Sequence, residues 1–282
     1  MKIKVAKTAG FCFGVDRSIK ILDSLLNNNK KVFTLGEIIH NKQVIDDYNK
    51  KNVYTINSPS ETPNNSILVI RAHGVAKNVI NYIKNNEIDY RDATCPFVKK
   101  IHNIVETASN QGKTVLIAGN KVHPEIIGIC GYCNSKNYIF TNSKDLDNLI
   151  KNINLNNGKD IIIVEQTTFN LQDWHECIKL LNKHLPLANI YNTICSATQQ
   201  RQEEADVLSK NVDIMLVIGG KHSSNTNKLY NICSKNCTTY FIESLEEIPI
   251  NELKRINSIG ITAGASTPKS IIDKIENLLT SI

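Results

Sequence analysis

No apolar run in these 282 residues approaches the ~18 that a membrane-crossing helix requires. Such runs as Ile161-Ile162-Ile163-Val164 have the length of buried strands. Aromatic residues make up only 6% of the chain, with a single tryptophan, Trp174, and no block of five or six like charges occurs. Collagen, mucin, wholesale disorder and a disulfide-dense scaffold are excluded by composition. The opening residues, Met1-Lys2-Ile3-Lys4-Val5-Ala6-Lys7, lack the apolar stretch of a secretory signal. The expectation is therefore a cytoplasmic protein with no membrane association, whose eight cysteines stay reduced. The excess of 33 Lys+Arg over 27 Asp+Glu suits an anionic metabolite or an acidic protein partner. It is too diffuse to argue for nucleic acid.

What is present is an alternation of short β-branched runs with longer amphipathic stretches, the pattern of an α/β protein with parallel sheets. The spacing predicts strands over Val32–Leu35, Ile67–Ile70, Thr114–Ala118, Ile161–Val164, Ile214–Ile218 and Ser258–Thr262. Shorter strands are expected over Ile3–Ala6, Tyr138–Phe140 and Thr239–Ile242. Helices are expected over Val15–Leu26, Phe97–Ser109, Trp174–Leu185, Arg201–Ser209 and Pro268–Leu279. The asparagine-rich stretches 27–29 and 152–157 read as surface loops.

The six strong strands share one feature. Each runs into a small polar loop: Gly36-Glu37-Ile38-Ile39-His40-Asn41, Arg71-Ala72-His73-Gly74, and Gly119 through Glu125 with His123-Pro124-Glu125. The others are Glu165-Gln166-Thr167-Thr168, Gly219 through Asn225 with Ser223-Ser224-Asn225, and Ala263-Gly264-Ala265-Ser266-Thr267. Ligands of open α/β sheets bind beyond the carboxyl ends of strands, and helices opening there favour phosphate. Any one of these loops is equally well a polar turn or a helix cap. Together they read as one polar pocket built from separate loops.

Three cysteines repeat the pattern. Cys12, Cys95 and Cys195 each stand before a predicted helix, 83 and 100 residues apart, with two polar loops between successive cysteines. The chain thus divides into three units of similar length, 14–95, 96–192, and 1–13 plus 193–282, in a pseudo-threefold arrangement with a small mainly parallel sheet each. A thiol at a helix start is favoured as the thiolate, the form that binds metal. Three such thiols suit an iron–sulfur cluster with one iron left open, whereas buried structural cysteines satisfy the spacing equally. Cys130-Gly131-Tyr132-Cys133 is the one Cys-x-x-Cys and reads as structural, since it has no second pair nearby. His102, His175 and His184 lie in helical patterns and read as surface or capping residues, and Trp174 as packing. A competing reading is a non-redox binding or transferase protein for a phosphorylated metabolite, with zinc at Cys130 and Cys133.

The ordered motifs Gly10-Phe11-Cys12-Phe13-Gly14-Val15, Ile39-His40-Asn41, Ala72-His73-Gly74-Val75 and Asp92-Ala93-Thr94-Cys95-Pro96 resemble one known family. So do His123-Pro124-Glu125, Gln166-Thr167-Thr168, Thr193-Ile194-Cys195, Ser223-Ser224-Asn225-Thr226 and Thr262-Ala263-Gly264-Ala265-Ser266. The family is that of the 4-hydroxy-3-methylbut-2-enyl diphosphate reductases, IspH/LytB, and the resemblance runs nearly end to end. It implies three α/β units around one 4Fe-4S cluster per chain, with Cys12, Cys95 and Cys195 as ligands and an iron left for the substrate hydroxyl. It implies an iron–sulfur oxidoreductase of the methylerythritol phosphate isoprenoid pathway. Reductive dehydroxylation of the allylic diphosphate would yield isopentenyl and dimethylallyl diphosphates, with ferredoxin or flavodoxin as electron donor. By the same resemblance His40, His73, His123, Ser223, Ser224, Asn225 and Ser266 hold the diphosphate. Glu125 is the proton donor, and Thr167 orients the hydroxyl end. Phe13, Glu165 and His222 depart from what the resemblance leads one to expect beside these positions.

Overall fold

A computed structural model describes residues 1–27, 30–254 and 256–281. Of the asparagine-rich stretch 27–29, Asn28 and Asn29 lie outside the described residues. In chain order the elements are β1 (Lys2–Val5), α1 (Phe13–Leu25), β2 (Lys31–Leu35), α2 (Lys42–Asn49), β3 (Val53–Ile56), β4 (Ser66–Ile70), α3 (Lys77–Asn85) and β5 (Tyr90–Asp92). Next come α4 (Pro96–Asn110), β6 (Thr114–Ala118), α5 (Pro124–Cys130), β7 (Asn137–Phe140), α6 (Ser143–Asn152), β8 (Ile161–Glu165), α7 (Leu171–His184) and β9 (Asn189–Ile190). The chain ends with α8 (Ser196–Ser209), β10 (Ile214–Ile218), α9 (Ser224–Cys233), β11 (Thr238–Ile242), α10 (Ile250–Leu253), β12 (Ser258–Ala263) and α11 (Lys269–Thr280).

The strands form three four-stranded sheets, ordered β1-β12-β10-β11, β3-β2-β4-β5 and β7-β6-β8-β9, and every pairing is parallel. The three orders are one order. Counted from the edge strand that leads to a cysteine, they read β5-β4-β2-β3, β9-β8-β6-β7 and β1-β12-β10-β11. The amino-terminal strand β1 takes in its sheet the place that β5 and β9 take in theirs. Within each sheet the strand order reverses between the two central strands, β2/β4, β6/β8 and β10/β12. Such a reversal opens a crevice at the carboxyl ends of the central strands, and the six polar loops are the loops that follow these six strands.

The chain divides into two compact units. One comprises residues 1–17, 39–51 and 196–282 and holds the β1-β12-β10-β11 sheet; the other comprises 18–38 and 52–195 and holds the remaining two. In the first unit, Ile214, Leu216 and Ile218 of β10 pack with Ile272, Ile275 and Leu279 of α11. Met215 and Val217, pointing the other way, pack with Ala205 of α8 and Leu229 and Cys233 of α9. In the second, Leu116 and Ile163 face α6 and α7, while Val115, Ile117, Ile162 and Val164 face α4 and α5. Sheets covered on both faces require strands apolar on both faces, which is why the central strands read as unbroken apolar runs.

The predicted strands fall within two residues of the observed ones. The short strands β3, β5 and β9 carry no periodic signal and went unpredicted, as did α2, α3, α6, α9 and α10. Three helices begin earlier than their apolar periodicity suggests: α1 starts at Phe13, α7 at Leu171 and α8 at Ser196, the first and last directly after a cysteine. The first turns of α1 and α8 are polar or exposed, so no apolar stripe marks them. Trp174 is buried in the core beside Phe169. Among the described residues no helix is long and apolar enough to cross a membrane.

Leu216 is fully buried at the centre of β10. Leu216→Ala is expected to destabilise its unit by about 2–5 kcal/mol through lost burial and a residual cavity. The measurement is a lowered urea midpoint, with the native far-UV circular dichroism unchanged.

Candidate functional site

In the larger unit the site residues form one contact chain between two cysteines. The loop before Cys95 is pinned by Asp92, whose Oδ1 accepts the Thr94 N–H at 2.9 Å, and the Cys95 N–H donates to the Ala72 carbonyl at 2.9 Å. His73 follows Ala72, and its ring meets that of His123 edge to face, with centroids 5.4 Å apart. His123 caps α5: its Nδ1 accepts the Glu125 N–H at 3.2 Å. An accepting Nδ1 leaves the imidazole proton on Nε2, so His123 presents a donor on its far side. Glu125, 1% exposed, accepts the Thr167 N–H on Oε1 at 2.6 Å and the Thr167 hydroxyl on Oε2 at 2.8 Å. The Thr167 carbonyl in turn accepts the Cys195 N–H at 3.1 Å. A carboxylate with its two oxygens committed to one residue holds that hydroxyl in a fixed direction.

Gly74 shapes the turn that carries His73. Its φ of +73° lies in the left-handed region, and a Cβ there would come within 2.8 Å of His102 Cε1. His102 therefore corrects the sequence expectation. It is buried rather than at the surface, and it stacks on Tyr132 with ring centroids 4.2 Å apart. Its apolar seat between Gly74 and Gly128 excludes charge.

In the smaller unit the polar loops after β10 and β12 meet His40. The Ser266 hydroxyl donates to the His40 carbonyl at 2.9 Å, and Gly220 packs against that same carbonyl. Ser223 caps α9, its Oγ accepting the Thr226 N–H at 3.3 Å. Ser224 and Asn225 form the first turn. Asn225 is buried, and its Nδ2 finds no partner. A buried amide donor left unpaired costs about 1–3 kcal/mol, which an anion at the start of α9 would recover. A Cβ on Gly264 would collide with Thr226 Oγ1, so glycine lets α9 close on the end of β12. The Cys12 N–H donates to the Ala265 carbonyl at 3.2 Å. All three helix-start cysteines thus follow one rule: each N–H is bonded to the loop after the neighbouring strand, β4, β8 or β12.

The donor set fits a thiolate-bound cluster. Cys12, Cys95 and Cys195 are half-buried and none is in a disulfide. Of the other five, burial pushes Cys133, Cys177 and Cys233 up to about 12 and also raises Cys130 and Cys237, which keeps them as thiols. Cys130 and Cys133 pack against the core beside α4 and β6.

Several residues that shape the site carry no motif. Arg201, buried in α8, donates from Nη1 to the Ala263 carbonyl at 2.5 Å and from Nη2 to the Gly10 carbonyl at 2.8 Å. It thereby ties the Cys12 loop to the Ser266 loop. One turn on, Glu204 accepts the Lys7 and Thr8 N–H groups at 2.7 and 2.8 Å. Glu165, fully buried at the end of β8, accepts the Thr193 N–H on Oε2 at 2.5 Å, while Oε1 is buried without a partner. Burial pushes its carboxyl up. It anchors Thr193, two residues before Cys195. Of the other departures noted in the sequence, Phe13 is 63% exposed and His222 is exposed. In sequence Arg201 is a charge in a helix and Glu165 a charge at a strand end, and burial alone distinguishes them.

His102 makes the fold pH-sensitive. Desolvation holds its pKa at about 4, against an ordinary 6.5; Asp92 and Glu106 pull the other way, and Lys99 adds to the depression. Above pH 6.5 folded and unfolded chains are both neutral there. As pH falls toward 4 the unfolded chain binds a proton the folded one refuses, and up to about 3 kcal/mol of stability is lost. His102→Gln is expected to remove that component, seen as a smaller drop in urea midpoint than wild type between pH 6.5 and 4.

With this geometry established, comparison with known proteins is direct. The family model described as LytB protein matches residues 3–280. The 4-hydroxy-3-methylbut-2-enyl diphosphate reductase of Clostridioides difficile is 41% identical over 283 residues, covering 100% of both chains. That of Caldanaerobacter subterraneus is 44% identical over 287 residues, covering 100% of this chain and 98% of its own. Among solved structures, the E-1-hydroxy-2-methyl-but-2-enyl-4-diphosphate reductase of Plasmodium falciparum superposes with a TM-score of 0.92 at 27% identity, covering 99% of this chain and 88% of the other. An (E)-4-hydroxy-3-methyl-but-2-enyl diphosphate reductase, described as the terminal enzyme of the non-mevalonate pathway, gives 0.71 at 35% identity with both chains fully covered. Matched over almost its whole length, the chain belongs to the LytB protein family.

Proposed function

We propose that the chain is the reductase its relatives are named for, removing the hydroxyl of 4-hydroxy-3-methylbut-2-enyl diphosphate to give isopentenyl and dimethylallyl diphosphates. The carbon–oxygen bond breaks, a carbon–hydrogen bond forms, and the hydroxyl departs as water, consuming two electrons and two protons. The observation that carries the reading is the Glu125 carboxylate gripping the N–H and hydroxyl of Thr167, whose own carbonyl takes the N–H of Cys195.

Cys12, Cys95 and Cys195 would hold a 4Fe-4S cluster, one per chain; when bound, it would supply the electrons and a Lewis-acidic iron without a fourth protein ligand. The diphosphate falls to His40, His73, His123, Ser223, Ser224, Asn225 and Ser266. The supporting features are the Nε2 donor of His123, the unpaired buried Nδ2 of Asn225 and the start of α9. Thr167 Oγ directs the allylic hydroxyl, and a proton on Glu125 Oε2 lies within hydrogen-bond reach of it, so Thr167 relays the proton that the departing oxygen requires. Fixing the anionic end positions the far hydroxyl and turns recognition into orientation. The units 14–95, 96–192, and 1–13 plus 193–282 are proposed as three repeats of one α/β design, supported by the shared strand order. The chain acts in the cytoplasm, with ferredoxin or flavodoxin as donor.

The deciding experiment is an anaerobic assay of the allylic diphosphate with reduced methyl viologen. Brown protein holding iron and acid-labile sulfide, lost on Cys95→Ser and kept on Cys130→Ser, is the expected result. Colourless, zinc-containing protein that depends on Cys130 would instead favour a non-redox phosphometabolite protein. Glu125→Gln is expected to lower kcat at least about 100-fold at unchanged iron and sulfide content. Asn225→Ala should raise KM about tenfold with kcat little changed, in keeping with loss of a hydrogen bond to a charged group.

A further inference from the structure

We propose that the open groove along α4 is where the acidic electron carrier of the reading above docks. The inference rests on the reductase reading above. The groove encloses about 550 Å³, and its walls include Pro96, Lys99, Lys100, Lys113 and Tyr191 but no acidic side chain. Lys99 is paired with Asp92 at 2.7 Å. Lys100, exposed, and Lys113, half-buried, have no carboxylate partner among the described residues.

The position of the groove gives that charge its meaning. Pro96 is bonded to Cys95, and the Lys99 N–H donates to the Cys95 carbonyl at 3.0 Å. Tyr191, exposed, extends β9 by donating its N–H to the Ile163 carbonyl at 2.9 Å, four residues before Cys195. The walls therefore come from the two segments that carry two of the proposed cluster ligands. Phe97, 39% exposed, adds an apolar contact beside Pro96. From Pro96 to Gln111 the wall extends about 22 Å along the helix. That length suits the small interfaces of transient redox encounters, below about 1,200 Å² in total. An open groove lined by lysines and by no carboxylate steers an acidic partner and releases it quickly. Each encounter oxidises the carrier by one electron, and two encounters supply the pair that, with two protons, replaces the allylic C–O bond by a C–H bond and releases water.

The test compares two reductants on the cluster-loaded enzyme: a reduced acidic ferredoxin, and methyl viologen, which needs no docking surface. For the double variant Lys100→Glu/Lys113→Glu, KM for ferredoxin is expected to rise at least about tenfold, while kcat with methyl viologen stays within about twofold. Raising salt from about 20 to 200 mM should weaken the wild-type ferredoxin KM and leave the variant's nearly flat. An unchanged ferredoxin KM overturns the proposal, as do equal losses with both reductants, which would assign the lysines to the integrity of the fold or cluster. Should methyl viologen support no turnover in wild type, the reductase reading falls by itself. Titration calorimetry with ferredoxin still judges the groove: binding abolished by the charge reversal upholds it, and binding unchanged overturns it.

Discussion

The grip of Glu125 on Thr167 is the interaction on which the larger unit's site depends. A carboxylate at the buried start of α5 loses hydration worth several kcal/mol. Charge-assisted bonds from a main-chain N–H and a hydroxyl of the same residue compensate. The same contact sets three things: the direction of the Thr167 hydroxyl, the path of the loop whose carbonyl receives Cys195, and the first turn of the helix that His123 caps. Removing it would free the Thr167 hydroxyl and the loop that carries it.

The parallel sheets determine where such contacts arise. With the chain order reversing between the two middle strands, the connections leaving their carboxyl ends run to opposite sides and leave main-chain N–H groups and helix starts beside a crevice. Every motif that carries chemistry sits at one of these six ends. The edge strands β1, β5 and β9 then bring a cysteine back alongside, each with its N–H tied to the next loop. A polar side chain at the end of a strand and a thiol at the start of a helix are thus consequences of one topology used three times.

Around this scheme, buried charges act as pins. Arg201 and Glu204, neighbours on α8, hold carbonyls and N–H groups of the Cys12 loop. Glu165 holds Thr193 before Cys195. His102, kept neutral by burial, supports the Gly74 turn beside His73. Their work is to remove freedom from the loops that carry the helix-start cysteines and the strand-end polar residues, since main-chain segments without regular partners otherwise fray.

The central strands, the parallel α/β class, the helix-start cysteines and the polar strand ends were legible because each leaves a local mark: an unbroken β-branched run, a proline at a first turn, a glycine and histidine just past a strand. The edge strands β3, β5 and β9 left none, being short and half-exposed. The polar first turns of α1 and α8 were missed because tertiary contacts, rather than an apolar stripe, hold them. His102 looked like a surface histidine because its helical spacing does not reveal the glycines that admit it. By itself the sequence determined the fold class and which chemical groups are available. Only the tertiary structure decided which of those groups meet, that Glu125 grips Thr167 and that Arg201 joins Gly10 to Ala263. Burial and partnership depend on residues far apart in the chain, and no local pattern encodes them.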